Sequence, residues 1–147
     1  TVQIGKVEKI RTGNDITVVS YGSTLKLIEK AAIELEKFNI SCEIIDCQSL
    51  IPFDSDNDIC ESIKKTNRII IIDEDFSGGA SAYILDKLIN KQNIYNYLDS
   101  KPYTLSAQDH RPAYGTDGDY FSKPSMDEVF NKIYSVMNEL NPEEYPI

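Results

Sequence analysis

The sequence predicts an α/β fold: three αβα layers around an open, mainly parallel sheet of about five strands. Three observations predict it. Short β-branched runs alternate with helix-periodic stretches along the 147 residues. The crossovers are long enough to return a strand parallel to its predecessor. Arg68-Ile69-Ile70-Ile71-Ile72-Asp73 carries four consecutive isoleucines with no polar alternation, the pattern of a strand buried on both faces.

The elements follow in order. Lys6–Ile10 is a short segment able to add an edge strand. Gly13-Asn14-Asp15 is a turn, and Ile16–Tyr21 is a strand rich in β-branched residues. Gly22-Ser23 ends it and offers a helix cap. Thr24–Phe38 reads as a helix, with Leu27, Ile28, Ala31, Leu35 and Phe38 recurring at spacings of three and four, and Asn39 as its stop. Ser41–Asp46 is the next strand, Leu50–Asp54 a connector and Asn57–Thr66 a short helix with Ile59 and Ile63 inward. After the isoleucine strand, Ser77-Gly78-Gly79 turns into a helix near Ala80–Leu88. Ile94–Leu98 is helical or irregular, and Tyr103–Ser106 is a further strand. Ala107–Pro124 is a long polar segment, of a length that marks functional or interface loops. The last helix opens on a capping box, Ser125-x-x-Glu128, and its apolar stripe is Val129, Phe130, Ile133, Val136, Met137 and Leu140. Asn141-Pro142 stops it, and the tail to Ile147 is expected to be irregular.

Composition narrows the function classes. Apolar residues make up 41% and charged residues 27%, a soluble globular balance. Lys and Arg number 15 against 24 Asp and Glu, a net charge of −9. Such a chain is a poor ligand for nucleic acid or an anionic membrane, and it suits a partner with a basic patch. No apolar run approaches a membrane span, and the first residues lack the apolar stretch of a secretory signal. Three cysteines, Cys42, Cys47 and Cys60, without a CxxC pair read as buried thiols of a reducing, cytoplasmic compartment. Residues 1–147 are expected to form one domain, a piece of a longer polypeptide.

Ligands of an open parallel sheet sit beyond the carboxyl ends of its strands. Gly22-Ser23-Thr24 could cradle a phosphate through free backbone amides, but a tight turn with a serine cap is the plainer reading. Ser77–Ser81 lacks a lysine, so close packing explains its glycines. Asp73-Glu74-Asp75 could bind a divalent cation, but adjacent acids in an extended chain diverge, and a solvated strand end is favoured. His110, the one imidazole, could act as a base near neutral pH, yet no nucleophile motif accompanies it. Tyr95-Asn96-Tyr97 and Tyr114–Phe121 offer aromatic contact surface. No nucleophile, base and polarising group stand together.

Several segments carry a family resemblance in order and spacing. These are Ile4–Val7, Asp15–Ser23, Ile44–Asp54, Lys64–Arg68, Ile71–Asp75, Gly78-Gly79 and Tyr97–Asp99. Nearly the whole chain resembles the C-terminal domain of the transketolase family, in particular the β subunit, or β-like half, of thiamine-dependent 2-oxo acid dehydrogenases. The resemblance implies a non-catalytic assembly domain with no catalytic, cofactor or metal residue of its own. Thiamine diphosphate and Mg would be held by other domains of the parent enzyme. The parent would be an oxidoreductase that decarboxylates a 2-oxo acid, such as 2-oxoisovalerate or pyruvate, and passes the acyl group to a lipoyl acyltransferase in a multienzyme complex. Its partners would be other domains or subunits of that dehydrogenase, in a homo-oligomer or heterotetramer, and the acyltransferase's subunit-binding domain. Asp99, in Leu98-Asp99-Ser100-Lys101-Pro102, matches the family acid that meets a basic patch on that partner. The chain departs from the family at Asp109–Tyr114, where one proline is displaced, at the polar stretch Gly115–Phe121, and at Asn141–Ile147 beyond the last helix. The same resemblance admits a transketolase or deoxyxylulose-phosphate synthase parent. A reading of another class, a flavodoxin-like binding or signalling module, rests on Asp73–Asp75 and Lys101.

Overall fold

A computed structural model describes residues 3–76, 78–107 and 124–147, with the backbone alone at Asp75 and Phe76. Its sheet has five strands: β1 Glu8–Arg11, β2 Ile16–Ser20, β3 Cys42–Asp46, β4 Ile69–Phe76 and β5 Tyr103–Ala107. They lie in the order β1-β3-β2-β4-β5. β3, β2, β4 and β5 are parallel, and β1 runs antiparallel along β3. Helices α1 Thr24–Glu36, α2 Asp58–Thr66, α3 Ala80–Asn90 and α4 Met126–Leu140 follow the strands, with a 3₁₀ turn at Ile94–Tyr97. Lys6–Ile10 thus does supply the edge strand, displaced toward Arg11. Among the described residues no helix is long and apolar enough to cross a membrane.

Strand alternation sorts the side chains into two cores. Ile16, Val18, Ile44, Ile70 and Ile72 face α1 and α4, whose Ile28, Ala31, Leu35, Val129, Ile133 and Val136 cover them. Val19, Ile45, Ile69 and Ile71 face α2 and α3, which supply Ile59, Ile63, Ile84 and Leu88. The two-sided burial read from the isoleucine run is what the sheet shows: residues 69–72 are each fully buried. Burying one such side chain contributes about 1.5–3 kcal/mol.

Boundaries differ in instructive places. α1 ends at Glu36, two residues before Phe38, with Lys37 as its C-cap and Asn39 left-handed at φ 64°. Leu25 and Ala32 face the core, while Leu27 is only half-buried. Phe38 instead packs edge-on against Phe130 and Tyr134 of α4, with centroids 5.6 and 5.7 Å away. At α4 the serine cap is present, Ser125 Oγ accepting from the Glu128 amide at 3.2 Å and facing Glu128 Oε1 at 3.4 Å. The tail is irregular but anchored. Tyr145 is buried, and Asn138 Nδ2 donates to its carbonyl at 2.7 Å.

Gly13 marks a close approach of two backbones. A Cβ there would lie 2.2 Å from the Cys42 carbonyl carbon and 2.6 Å from the Glu43 amide nitrogen. Gly22, at φ +68°, has open space instead. Gly13→Ala is therefore expected to destabilise the chain by more than about 2 kcal/mol, through a clash that only backbone movement relieves. Gly22→Ala should cost about 1 kcal/mol, the strain of a left-handed alanine. Urea unfolding midpoints of the two variants check the ranking, and equal midpoints would contradict it.

Candidate functional site

Strands β2 and β4 are neighbours although β3 intervenes in sequence, so the chain reverses its winding between them. The crevice beyond their carboxyl ends is where an open sheet of this kind receives ligands. Here its two lips are bonded to each other. Tyr21 Oη donates to Asp73 Oδ1 at 2.5 Å, and Ser23 Oγ donates to Glu74 Oε2 at 3.1 Å. Asp73 Oδ2 also accepts the Ser81 amide at 2.9 Å, so it pins the start of α3. The structure corrects two sequence expectations. Asp73 is fully buried rather than a solvated strand end, because its oxygens satisfy a hydroxyl and a helix amide. Ser23 makes no side-chain cap on α1, because its hydroxyl reaches across to Glu74. With two carboxylates at the mouth, this turn is electrostatically hostile to a phosphate. Among the described residues no group of three His, Cys, Asp or Glu could hold a metal ion.

Two further carboxylates are structural, and residue pattern alone did not single them out. Asp54 is buried at the start of α2, where its oxygens accept the Asp58 and Ile59 amides, both at 2.9 Å, and Gln92 Nε2 at 3.0 Å. It follows the cis Ile51–Pro52 bond. An acid four residues ahead of a helical stretch was the available signal. Glu43, in the middle of β3, is completely buried. It accepts from the Gly13 amide at 3.3 Å, Ser62 Oγ at 2.5 Å and Lys65 Nζ at 2.5 Å, with Lys9 Nζ 3.6 Å away. Burial alone would raise its pKa. The hydrogen bonds from Lys65, Ser62 and Gly13, with the Lys9 charge, outweigh that and hold it below its ordinary value. The charged form is therefore the folded form. A cleft of about 370 Å³, lined by Val7, Lys9, Asp58 and Lys65, opens over it.

The cysteines are buried, as expected. Burial pushes the Cys42 thiol up to about 12 and raises Cys47 and Cys60 as well. They are protonated at neutral pH and poor nucleophiles.

Asp99 lies just after the 3₁₀ turn. Its amide donates to the Asn67 carbonyl at 3.0 Å, and Asn67 Nδ2 donates to the Tyr97 carbonyl at 2.8 Å. Its Oδ2 accepts from Arg68 Nη2 at 3.2 Å, while Arg68 Nη1 donates to the Asp15 carbonyl at 3.1 Å. The carboxylate is 44% exposed, so this pairing leaves one side open. A shallow pocket of about 310 Å³, lined by Tyr95, Leu98, Asp99, Ser100 and Lys101, adjoins it. Of the aromatic surface expected here, Tyr95 is 72% exposed and Tyr97 38%. His110, Tyr114–Phe121 and the interior of the Ala107–Pro124 segment lie outside the described residues.

Comparison with known proteins bears on this arrangement. Residues 5–122 match the family described as transketolase, C-terminal domain. A pyruvate dehydrogenase E1 component subunit beta of Rickettsia felis is 32% identical over 136 residues, 92% of this chain and 41% of that protein. A 2-oxoisovalerate dehydrogenase subunit beta 2, mitochondrial, of Arabidopsis thaliana is 37% identical over 92 residues, 61% of this chain and 25% of that protein. The chain thus spans about two fifths of the length of the Rickettsia relative. Among solved structures, a split gene transketolase in an inactive beta4 tetramer superposes with a TM-score of 0.71 at 20% identity. That match covers 91% of this chain and 42% of the other, a likeness of fold.

The Glu43 cluster sets a pH dependence. A carboxyl whose folded pKa lies below its ordinary value of 4.5 adds stability above that pH and loses it as pH falls through the folded value. Glu43→Gln is expected to cost about 1–3 kcal/mol near neutral pH, since Lys65 and Ser62 lose a charged acceptor. The gap between wild type and variant should shrink on acidification toward about pH 3. Urea unfolding at both pH values measures it, and a gap that stays constant or widens would refute the assignment.

Proposed function

This chain belongs to the transketolase C-terminal domain family, and on that premise we propose that it is the assembly and docking domain of a 2-oxo acid dehydrogenase decarboxylating component. The observation that carries the reading is the similarity, over as much as 92% of the chain, to beta subunits of pyruvate and 2-oxoisovalerate dehydrogenases. The parent would oxidatively decarboxylate a 2-oxo acid of that class. Thiamine diphosphate and Mg would sit on its other domains, and this domain would hold the parent's subunits together in a reducing, cytoplasmic interior. The chain's own chemistry supports that division of labour. Asp73 and Glu43 are each engaged in tying helices to the sheet, Asp54 in capping the start of α2, and the three thiols are buried.

Asp99 is the residue we assign to the lipoyl acyltransferase's subunit-binding domain. Its half-exposed carboxylate is held in place by Arg68, so little side-chain freedom remains to be lost when a partner cation approaches the open side. Charge at such a corner acts on partner choice and association rate more than on bulk affinity.

Titration calorimetry of the chain with the subunit-binding domain of its own acyltransferase tests this reading. Saturable binding is expected, weakened about tenfold or more by Asp99→Lys. Arg68→Met, which frees Asp99 without reversing its charge, should weaken binding less. Thiamine diphosphate with Mg²⁺ should give no heat with this chain. Unchanged binding by Asp99→Lys would remove the Asp99 assignment, and cofactor binding would overturn the division of labour.

A further inference from the structure

The α2–α3 side of the molecule carries a groove that neither the fold nor the proposed assembly role employs. It has a volume of about 260 Å³. Pro52, Phe53 and Tyr83 form an apolar wall, and Lys87 and Lys91 form the rim. No acid lines it. Lys87 Nζ stands 5.3 Å from the centroid of the Tyr83 ring, so cation and aromatic face are presented together. Ile51, next to Pro52 in sequence, is 81% exposed.

The rim's cations are unpaired. Among the described residues Lys87 and Lys91 form no ion pair, as Lys26, Lys30, Lys101 and Lys132 do not, but these two stand over an apolar groove. The carboxylates nearby are engaged elsewhere. Asp54 holds the amides of α2 and Gln92, Asp56 pairs with Lys6 at 2.5 Å, and Asp86 accepts from Asn90 Nδ2 at 2.7 Å. A chain of net charge −9 therefore presents two uncompensated cations over an apolar floor. A helix C-terminus favours a cation by itself, and α3 ends at Asn90. That preference accounts for the lysines and leaves the apolar groove beneath them unexplained.

We propose that this groove docks an extended acidic segment of a partner polypeptide, with acids at alternate positions and an apolar side chain beside them. The spacing argues for an extended segment. Lys87 in the last turn of α3 and Lys91 at its C-cap, whose amide donates to the Lys87 carbonyl at 3.0 Å, lie one helical turn apart, about 6 Å along the axis. Side chains at i and i+2 of an extended strand share a face at about 6.6 Å. The acids of an acid-x-acid segment are thus spaced like the backbone attachment points of the two lysines, and an apolar neighbour would meet the Pro52, Phe53 and Tyr83 wall. Docking would cover an aromatic wall that is otherwise half-open to water. The proposal is independent of the dehydrogenase reading, because it rests on residues remote in sequence from Asp99.

The test is an NMR titration of the full ¹⁵N-labelled chain with the peptide acetyl-Leu-Ser-Glu-Ser-Glu-amide. Shifts are expected to concentrate at the amides of Phe53, Tyr83, Lys87 and Lys91, and to fade as salt rises. Lys87→Glu with Lys91→Glu should weaken binding about tenfold or more. Lys26→Glu with Lys30→Glu on α1, equal in charge change, should leave it unaltered. A peptide with both glutamates replaced by glutamine should not bind. Equal binding of that neutral peptide, shifts scattered elsewhere, or a matching loss in the α1 control would overturn the proposal. So would inorganic phosphate producing the same shifts at the same concentration, since the groove would then be a free-anion site.

Discussion

A single buried carboxylate, that of Glu43, joins the segments from which one half of this molecule is built. It takes bonds from the turn before β2, from two residues of α2 and from the edge strand β1. Beneath α2 the polar chain continues. Ser62 Oγ contacts Thr17 Oγ1 at 2.7 Å, Thr17 contacts Thr66 at 2.7 Å, and Thr66 donates to the Arg68 carbonyl at 3.1 Å. Burying an ion is costly, and such a site persists only when its partners are all in place. The consequence is order. β1, β2, β3 and α2 have one mutual arrangement in which Glu43 is satisfied, whereas oily packing alone tolerates several.

The other end of the sheet is organised on the same principle with different residues. Asp73 in β4 accepts the Ser81 amide at the start of α3, which fixes that helix to the sheet, and Asp54 in the preceding loop accepts the first amides of α2. At the winding reversal, the hydroxyls of Tyr21 and Ser23 bridge to the acids after β4. Among the described residues, these bonds span the crevice and tie its two lips together. The outside offers the Asp99 corner, the α2–α3 groove and the aromatic edge at Phe38.

Much of this was legible in the residues. The four isoleucines announced a two-sided strand, the capping box at Ser125 fixed the start of the last helix, and the odd, unpaired cysteines announced buried thiols. The stray points share a physical cause. Asp73 looked solvated because acids usually are, and only the tertiary fold brings Tyr21 and the α3 amide to it. Ser23 looked like a cap because its local sequence allows one, yet a cross-strand acceptor competes better. Glu43 stood unnoticed inside an apolar strand, because its partners come from turn, strand and helix far apart in sequence. Asp99 comes from the family resemblance. The Arg68 clamp that holds it was not legible, since no local rule links those two residues.

The isoleucine strand carries a further implication. Identical neighbours are interchangeable, so sliding β4 by one place would still bury isoleucine at three of its four positions and bring only Arg68 or Asp73 into the fourth. Within the run, hydrophobicity alone distinguishes the native alignment of β4 weakly from a one-place shift. That information resides in the polar residues at either end of the run. Arg68 accepts the Thr17 amide on its carbonyl and reaches the Asp15 carbonyl with its guanidinium. Asp73 holds Tyr21 and the Ser81 amide. The greasy centre supplies the energy of the sheet, and its two charged bookends supply the address.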